Sequence, residues 1–335
     1  MTDKLRTSRD LDTPKTSRRS NKSRSEQVEL LQSRPSSFPN NLIWSGDVSQ
    51  FLTSIPNSAR FDLVVSSPPY NIGKPYERKS DLAKYREWQT AVLHDIVARL
   101  SSTGSLCWQV GNYVDNNEIL PLDILFHPIM KDLGLRLRNR IIWTFGHGLH
   151  AKRRFSGRYE VVLWYTKSDD YYFDLDSVRV PAKYPGKRSF RGPKRGKLSG
   201  NPLGKNPEDV WVQSLQEVDD VWRNIPNVKS NHPEKTAHPC QFPVGLIERL
   251  VLALTKPGDL VFDPFAGVGS AGVASLIHGR RFWGCEVDAS YASVAHTRLH
   301  DAINGRATFR PHSVPLYDSS KSRLALIPAE WEPRH

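Results

Sequence analysis

The chain has 335 residues, of which 38% are hydrophobic, and a formal net charge of +12 at pH 7. This hydrophobic content supports a folded core, while no apolar run reaches the roughly 18 residues that a membrane-spanning helix needs. The three cysteines lie far apart, which excludes a disulfide framework and a Cys-X-X-Cys metal site, and no metal is expected. The positive charge favours a nucleic acid as partner, because neutralised phosphates release counterions. A basic protein whose charge serves only solvation is the alternative.

The N-terminal segment is polar and basic. Residues 1–38 are rich in Ser, Thr, Lys and Arg and nearly lack aromatic residues, which predicts a disordered basic tail. The ordered chain is expected to begin near Asn41. Because this terminus has no apolar segment typical of a secretory signal and the cysteines form no framework, an intracellular, cytoplasmic location is expected.

Short apolar runs and helical patterns alternate along the rest of the chain. They predict strands at 61–65, 105–110, 140–145, 159–165, 260–262 and 281–285, and helices over 81–100, 243–254 and 270–278. Such alternation is typical of an open α/β sheet with a crossover connection between most strands. Residues 181–208 interrupt the pattern, and their density of Pro, Gly, Lys and Arg predicts a long loop or a small irregular insertion.

A glycine-containing turn links the predicted strand at 260–262 to the helix that follows. It consists of Asp263, Pro264, Phe265, Ala266, Gly267, Val268, Gly269 and Ser270. Ligands of parallel sheets bind beyond the carboxyl ends of the strands, and glycines let the backbone approach them. Glu286 ends the next strand, where a carboxylate suits hydrogen bonds to ribose hydroxyls. The turn lacks the spacing of dinucleotide folds and phosphate loops, so a purely structural turn is the alternative.

The second motif, Ser67-Pro68-Pro69-Tyr70, directly follows the predicted strand at 61–65. Its prolines lock the backbone and remove two amide donors, which leaves carbonyl groups to accept hydrogen bonds. A hydroxyl, a rigid carbonyl and an aromatic ring are the parts needed to bind an amino group and stack a planar base. Two prolines also commonly end a strand, so the motif is informative mainly in combination with the glycine-containing turn.

Together the two motifs resemble those of the amino-methyltransferases of restriction–modification systems, in the branch whose catalytic motif precedes the cofactor motif. Three further segments are similar to that family: residues 45–47, residues 235–243, and Asp-Val-Trp at 220–222 with Ile225-Pro226. Asp-Val-Trp also occurs at 209–211, so the residues between the two copies look like an insertion. The resemblance covers roughly residues 41–300.

The resemblance implies a Rossmann-like class I methyltransferase fold. This fold is an α/β architecture with a mostly parallel seven-stranded sheet, helices on both faces and an inserted target-recognition region. The implied division of the chain is a tail at 1–38, a catalytic half at 39–145, a target-recognition insertion at 146–234, an S-adenosylmethionine-binding half at 235–310 and a C-terminal tail at 311–335.

The resemblance also implies roles for individual residues. In the catalytic motif, Ser67 and the Pro68 carbonyl are expected to accept hydrogen bonds from the target amino group, with Pro69 fixing the backbone and Tyr70 stacking on a base extruded from the duplex. The residues expected to bind the cofactor S-adenosylmethionine are Asp263 at its methionine part, Glu286 at its ribose, Asp47 at its adenine, and Phe265, Ala266, Gly267, Gly269, Ser270 and His238 around it.

The choice of target base follows from the first residue of the catalytic motif. Relatives with Ser there mostly modify cytosine N4 and those with Asp mostly adenine N6, so Ser67 favours N4 of cytosine. An N6-adenine enzyme of the same architecture is one alternative. A second alternative is a nucleic-acid-binding protein with an inactive methyltransferase fold. The intact motifs disfavour it. Pro239-Cys240 is similar to the dipeptide of C5-cytosine methyltransferases but precedes the cofactor motif, so Cys240 is expected to be a small packed residue.

The stretch from 146 to 205 is the candidate for reading the DNA sequence, because such a segment must reach base edges. The residues expected to contact DNA, mostly at phosphates, are Lys187, Arg188, Arg191, Lys194, Arg195 and Lys197. Double-stranded DNA is therefore the expected partner. The resemblance adds a cognate restriction endonuclease as a functional partner.

Overall fold

A computed structural model describes residues 27–73, 77, 79–115, 118–146, 150–211, 225–229 and 231–311. The strands in these residues are β1 (Val28–Leu31), β2 (Asn41–Ser45), β3 (Phe61–Ser66), β4 (Leu100–Val110), β5 (Asn112–Asp115), β6 (Glu118–Pro121), β7 (Arg136–Thr144), β8 (Tyr159–Thr166), β9 (Val210–Trp211), β10 (Leu260–Asp263) and β11 (Arg281–Glu286). The α-helices are α1 (Val48–Ser54), α2 (Leu82–Arg99), α3 (Leu122–Asp132), α4 (Val244–Leu254), α5 (Ser270–Ile277) and α6 (Ala289–Ile303).

Nine of the strands form one sheet in the order β1-β2-β11-β10-β3-β4-β8-β7-β9. From β1 to β4 all neighbours are parallel, whereas β8 is antiparallel to both β4 and β7. The strands β5 and β6 pair separately as an antiparallel hairpin. The predicted α/β fold with a mostly parallel sheet is therefore confirmed, with a single reversed strand among the nine.

Helices cover both faces of the sheet, as predicted. The apolar residues of α1, α2 and α3 pack in one core cluster, and those of α4, α5 and α6 pack in a second cluster on the other face. The strand β3 shows why both clusters form: Phe61 and Val64 join the first, and Leu63 and Val65 join the second. Side chains alternate between the faces of a strand, so a strand with apolar residues on both faces must be covered on both.

The boundary that the sequence predicted for the N-terminal tail is wrong. Residues 28–31 form β1, which pairs in parallel with 41–44, so the predicted tail at 1–38 ends earlier and the ordered chain begins before Asn41. Three of its four residues are apolar, but such a short run inside a polar segment is not enough to predict a strand. This strand and β9 also extend the expected seven-stranded sheet to nine.

The predicted insertion at 146–234 includes a central strand. β8 lies between β4 and β7 in the main sheet, so the stretch outside the sheet begins only after Thr166 and ends at the edge strand β9. Residues 181–208 are irregular, as predicted, and hold turns and isolated bridges such as Arg188 with Leu198. The second Asp-Val-Trp at 220–222 and the tail from 312 onward lie outside the described residues. Among the described helices, none has the length and apolar character needed to cross a membrane.

Candidate active site

A cavity of about 460 Å³ lies where the parallel strands end. Its wall includes residues at the carboxyl ends of five strands: Asp47 after β2, Ser67 after β3, Gln109 in β4, Phe265 after β10 and Glu286 in β11. A volume of this size suits a small organic ligand. Parallel strands share one carboxyl edge, so side chains that are distant in sequence converge there.

The catalytic motif, residues 67–70, forms one wall of the cavity. Ser67 Oγ donates a hydrogen bond to Tyr70 Oη at 3.1 Å. The carbonyl of Pro69 accepts a hydrogen bond from Tyr85 Oη at 2.7 Å. Burial, with a smaller contribution from the charge of Glu77, raises the pKa of Tyr85 far above its usual value, so this hydroxyl remains a donor. The motif is thereby fixed to α2.

The chain leaves the motif through a braced turn. Asn71 is buried and has a φ of 59°, in the left-handed region that asparagine tolerates better than most residues. The backbone N–H groups of Asn71 and Ile72 donate to the two carboxylate oxygens of Glu77, each at 2.8 Å. The Asn71 side chain exchanges two hydrogen bonds with the backbone of Ser80. These bonds fix the backbone that carries Tyr70.

Asp263 lies behind the cavity wall rather than on it. It is fully buried, and its Oδ1 accepts hydrogen bonds from Ser66 Oγ at 2.5 Å and from the N–H of Phe265 at 3.1 Å. Its Oδ2 is also buried and has no hydrogen-bond partner among the described residues. Burial raises the pKa of Asp263 to about 7, and the hydrogen bond from Ser66 acts in the opposite direction. A cationic ligand group would give this carboxylate the partner that it lacks.

The glycine-containing turn needs its glycines for two reasons. Gly267 has a φ of 52°, and a Cβ there would lie 3.4 Å from His238 Nε2. Gly269 has a φ of 76°, and a Cβ there would lie 2.7 Å from Leu299 Cδ1, so the Leu299 side chain would have to shift. The turn therefore lets the backbone approach both the cavity and α6 closely. Gly269 itself packs against the helix and is not on the cavity wall.

Two carboxylates at the carboxyl edge are held by backbone amides. Glu286 accepts hydrogen bonds from the N–H groups of Gly267 at 2.8 Å and Asp288 at 2.9 Å. Asp47 caps α1 by accepting from the N–H of Ser49 at 2.8 Å. Both carboxylates line the cavity and retain oxygen lone pairs that can accept from ligand hydroxyl or amino groups.

His238 is a neutral wall residue. Its Nδ1 accepts a hydrogen bond from the N–H of Cys240 at 3.2 Å, and its ring meets that of Tyr291 edge-on, with centroids 4.7 Å apart. Burial lowers the pKa of His238 to about 4, with a further lowering by the charge of Lys235. Cys240 is exposed and lines the cavity, so the expectation that it is a packed residue is wrong.

These features fit S-adenosylmethionine. The buried Asp263 oxygen suits a cationic group, the Glu286 and Asp47 carboxylates suit hydroxyl and amino donors, and Gly267 leaves space for the ligand. The structure places all the predicted motif and cofactor residues on the wall except Asp263 and Gly269. Within the described ranges, no group of three or more His, Cys, Asp or Glu residues could hold a metal ion.

Several wall residues were missed from the sequence. Trp88 lies on α2 at the cavity, with its ring centroid 5.7 Å from that of Phe265. Gln109 and Glu160 meet across β4 and β8, where Gln109 Nε2 donates to Glu160 Oε2. Gln109 does sit at the carboxyl end of a predicted strand, which is a usable signal. Glu160 is the second residue of its strand, and nothing in the sequence shows that this strand is reversed.

The six basic residues predicted to contact DNA are all exposed. They lie in a compact irregular loop in which Ser189 and Lys197 pair through the backbone at 2.9 Å and the Arg188 guanidinium donates to the Gly196 carbonyl at 2.6 Å. None of the six lines the cavity. They therefore form a surface separate from the candidate active site.

The strand order with its one reversed strand, together with the cavity at the carboxyl edge, defines a class I methyltransferase fold. Residues 61–297 match the family model of N6 and N4 methyltransferases, which is described as DNA methylase. The Type II methyltransferase M.BglII of Bacillus subtilis is 45% identical over 278 residues, which cover 82% of this chain and 74% of that protein. The chain therefore belongs to the N6/N4 DNA methylase family and is a DNA methyltransferase with S-adenosylmethionine as methyl donor.

Proteins named for different target bases are similar to this chain. The DNA adenine methyltransferase YhdJ of Escherichia coli (strain K12) is 29% identical over 276 residues, covering 79% of this chain and 85% of that protein. The PvuII DNA methyltransferase, named as cytosine-N4-specific, has a TM-score of 0.58 at 19% identity and covers 82% of this chain and 93% of that chain. These similarities therefore do not distinguish between adenine and cytosine as the target base.

Proposed function

We propose that this protein transfers a methyl group from S-adenosylmethionine to the exocyclic N4 of cytosine at specific sites in double-stranded DNA. The observation that carries the choice of base is the hydroxyl of Ser67 at the first position of the catalytic motif, on the cavity wall and 3.1 Å from Tyr70 Oη. When bound, S-adenosylmethionine supplies the electrophilic methyl group.

The residues of the motif activate and position the amino group. An exocyclic nitrogen is a poor nucleophile because its lone pair is delocalised into the base. Hydrogen bonds from its N–H groups to Ser67 Oγ and to the Pro68 carbonyl favour the pyramidal form, in which the lone pair is available. Tyr70 stacks on the extruded base. Holding two reactants in line contributes about 7–11 kcal/mol to such reactions, so positioning is the main task of these residues.

The cofactor is assigned to the side of the cavity that carries the carboxylates. Asp263, behind the wall, is assigned to the cationic methionine end, which its charge attracts, Glu286 on the wall to the ribose and Asp47 on the wall to the adenine. The neutral ring of His238, beside Gly267, adds an uncharged wall that does not repel the cationic donor. The proposal thus uses the buried acceptor of Asp263, which otherwise has no described partner.

DNA contacts are assigned to the exposed loop of Lys187, Arg188, Arg191, Lys194, Arg195 and Lys197, within the segment proposed to recognise the target sequence. Six exposed cations spaced by Gly and Pro suit the phosphates that flank a target site. A cognate restriction endonuclease that cleaves the same unmethylated site completes the proposed biological setting.

Product analysis tests the proposal. Purified protein is incubated with labelled S-adenosylmethionine and unmethylated genomic DNA, and the DNA is digested to nucleosides for identification of the methylated one. N4-methylcytosine is the expected product. N6-methyladenine would retain the mechanism but overturn the assignment of the base. Absence of DNA methylation, in a preparation shown to bind the cofactor, would contradict the proposed activity.

A further inference from the structure

Glu160 lies at the beginning of β8, on the wall of the cavity. Because β8 runs antiparallel to β4, its first residues reach the edge where β4 ends. Gln109, near the end of β4, donates a hydrogen bond from its side-chain amide to Glu160 Oε2. Gln109 is itself 2% exposed, so this contact holds the Glu160 carboxyl in a fixed position.

The second oxygen of Glu160 faces the catalytic motif. A Cβ added to Gly111 would lie 3.4 Å from Glu160 Oε1 and 3.0 Å from Tyr70 Cε2. Gly111 therefore keeps open a narrow space with the Glu160 carboxyl on one side and the edge of the Tyr70 ring on the other. A base stacked on Tyr70 presents its own edge to the walls around that ring.

The environment of Glu160 favours its neutral form. Burial raises its pKa to about 7, while the hydrogen bond from Gln109 and the charge of Lys229 act in the opposite direction. The titratable groups that face it are Lys229, from the segment at 225–229, and Tyr70, from the loop after β3. Near neutral pH a large share of the molecules can therefore carry a proton on this carboxyl.

We propose that Glu160, held by Gln109, is a specificity-determining residue that donates a hydrogen bond from its carboxyl group to the ring nitrogen beside the reacting amino group, N3 in cytosine. The inference rests on the proposed function, because it requires the target base to occupy this cavity. No bond is broken in the step: the proton remains on Glu160 Oε1 and is shared with the ring nitrogen.

This arrangement selects bases by their hydrogen-bonding pattern. Cytosine and adenine both present an amino group next to a ring nitrogen that accepts. Thymine and guanine present a carbonyl oxygen next to a ring N–H. Acceptors at Ser67 and Pro68 together with a donor at Glu160 match the first pattern and oppose the second, since the mismatch leaves buried polar groups unpaired. The proposal therefore holds for either amino base.

Kinetics of two variants test the donor role. Glu160→Ala is expected to lower kcat/KM for DNA about ten- to hundredfold, because the buried ring nitrogen no longer has a hydrogen-bond donor. Glu160→Gln keeps an N–H donor and is expected to remain within about threefold of the wild type. The matched control is Glu118→Gln, an exposed acid of β6 outside the cavity, which should change nothing.

The pH profile separates this role from a structural one. The donating form of Glu160 is lost as the pH rises through about 7, so kcat/KM for DNA in the wild type should fall above that pH. Glu160→Gln should lack this fall, because an amide does not titrate. An identical fall in both proteins would overturn the proposal.

A modified substrate gives the decisive comparison. After the methylated site has been mapped, a duplex is synthesised with 3-deaza-2′-deoxycytidine at the target position, which retains the amino group but lacks the ring acceptor. The kcat/KM of the wild type is expected to be about ten- to hundredfold lower on this duplex than on the cytosine duplex. For Glu160→Ala, the kcat/KM on the two duplexes should differ little.

Failure of the inference and failure of the proposed function give different results. If the wild type makes N4-methylcytosine but treats both duplexes equally, Glu160 has no contact with the ring nitrogen. If the product is N6-methyladenine, the base assignment fails, and 1-deaza-2′-deoxyadenosine replaces the cytidine analogue in the same comparison. If no product forms on any DNA, the proposed function fails first, and the inference falls with it.

Discussion

At the residue scale, two neighbouring serines face different parts of the site. Ser66, the last residue of β3, donates to the buried Asp263, whereas Ser67 donates to Tyr70 on the cavity wall. Successive side chains of an extended segment point to opposite sides, which separates the two roles. The pair therefore offers matched variants that differ by one position in the chain.

Ser67→Ala is expected to lower kcat about ten- to hundredfold, with the affinity for S-adenosylmethionine unchanged, because the change removes the hydrogen bonds with the amino group and with Tyr70 but none with the cofactor residues. Ser66→Ala is expected to weaken cofactor binding, because Asp263 loses a hydrogen bond that favours its charged form. Steady-state kinetics with calorimetric cofactor binding measure both effects. Equal losses of kcat in the two variants would contradict the separation.

Asp263 makes a pH-dependent contribution to stability. Burial raises its pKa from 3.8 to about 7, so between these values the folded protein retains a proton that the unfolded chain has released. This carboxyl therefore destabilises the ligand-free fold progressively as the pH rises from about 4 to about 7. Burial of this carboxyl thus lowers the stability of the ligand-free protein, which is typical of an acid at a site that binds a cationic ligand.

Asp263→Asn removes that titration. The melting temperature of the ligand-free variant, relative to the wild type, is expected to rise by roughly 2–8 °C between pH 4 and pH 8, while the variant binds S-adenosylmethionine more weakly. Calorimetric melting across this pH range, with and without cofactor, is the measurement. A difference in melting temperature that does not change with pH would show that Asp263 has the same pKa in both states.

At the scale of elements, the direction of β8 decides the composition of the site. A parallel strand brings its last residues to the carboxyl edge, and an antiparallel strand brings its first residues there. Glu160 is the second residue of β8 and lines the cavity, whereas the final residue, Thr166, is buried in the sheet opposite Ser105. Apolar periodicity predicted this strand without its direction, so it could not place Glu160 in the site.

The basic loop provides a prediction for a single element. Replacing Arg191 and Lys194 by Ala is expected to weaken DNA binding and to reduce the slope of log K against log salt concentration by about 1–2, since each phosphate that is no longer neutralised removes about 0.9 from the slope. Cofactor binding should be unaffected, because neither residue lines the cavity.

Binding titrations at several salt concentrations measure this slope. The matched control replaces Lys131 and Lys256, which precede the amino ends of β7 and β10 and therefore lie at the edge of the sheet opposite the site. The control should leave the slope unchanged. Equal slopes for the wild type and the Arg191 and Lys194 variant would show that the loop does not contact phosphates.

At the scale of the whole molecule, the catalytic and cofactor halves are not separate domains. β11 and β10, from the cofactor half, lie between β2 and β3 of the catalytic half. Phe61 of β3 stacks on Phe262 of β10 with ring centroids 4.3 Å apart, and Phe51 of α1 stacks on the same ring at 5.7 Å. The core cluster that contains these three rings therefore joins both halves.

A fragment of residues 1–234 is accordingly expected not to fold cooperatively, because β2 and β3 each lose a central neighbour and the core beneath them opens. Urea denaturation followed by circular dichroism tests this. Adding residues 235–335 as a second chain is expected to restore a cooperative transition and methyl transfer. A cooperative transition of the first fragment alone would show that the catalytic half is an independent domain.

The sequence by itself determined the main elements and both motifs. Strands such as β3 are mostly apolar, and glycines and prolines mark the turns, so local chemistry was sufficient to predict them. The alternation of strands and helices was likewise sufficient for the α/β class. The short edge strand at 28–31 was missed because a four-residue run is too short to predict a strand, and it forms only through its pairing with 41–44.

Only the tertiary structure decided which residues meet. The pairing order placed β10 between β11 and β3, which brought Asp263 within 2.5 Å of Ser66, 197 positions away in the chain. The reversal of β8 set Glu160 beside Gln109, and burial gave both Asp263 and Glu160 pKa values near 7. Strand direction, pairing order and burial depend on the whole chain packing at once, whereas a local pattern depends only on its neighbours.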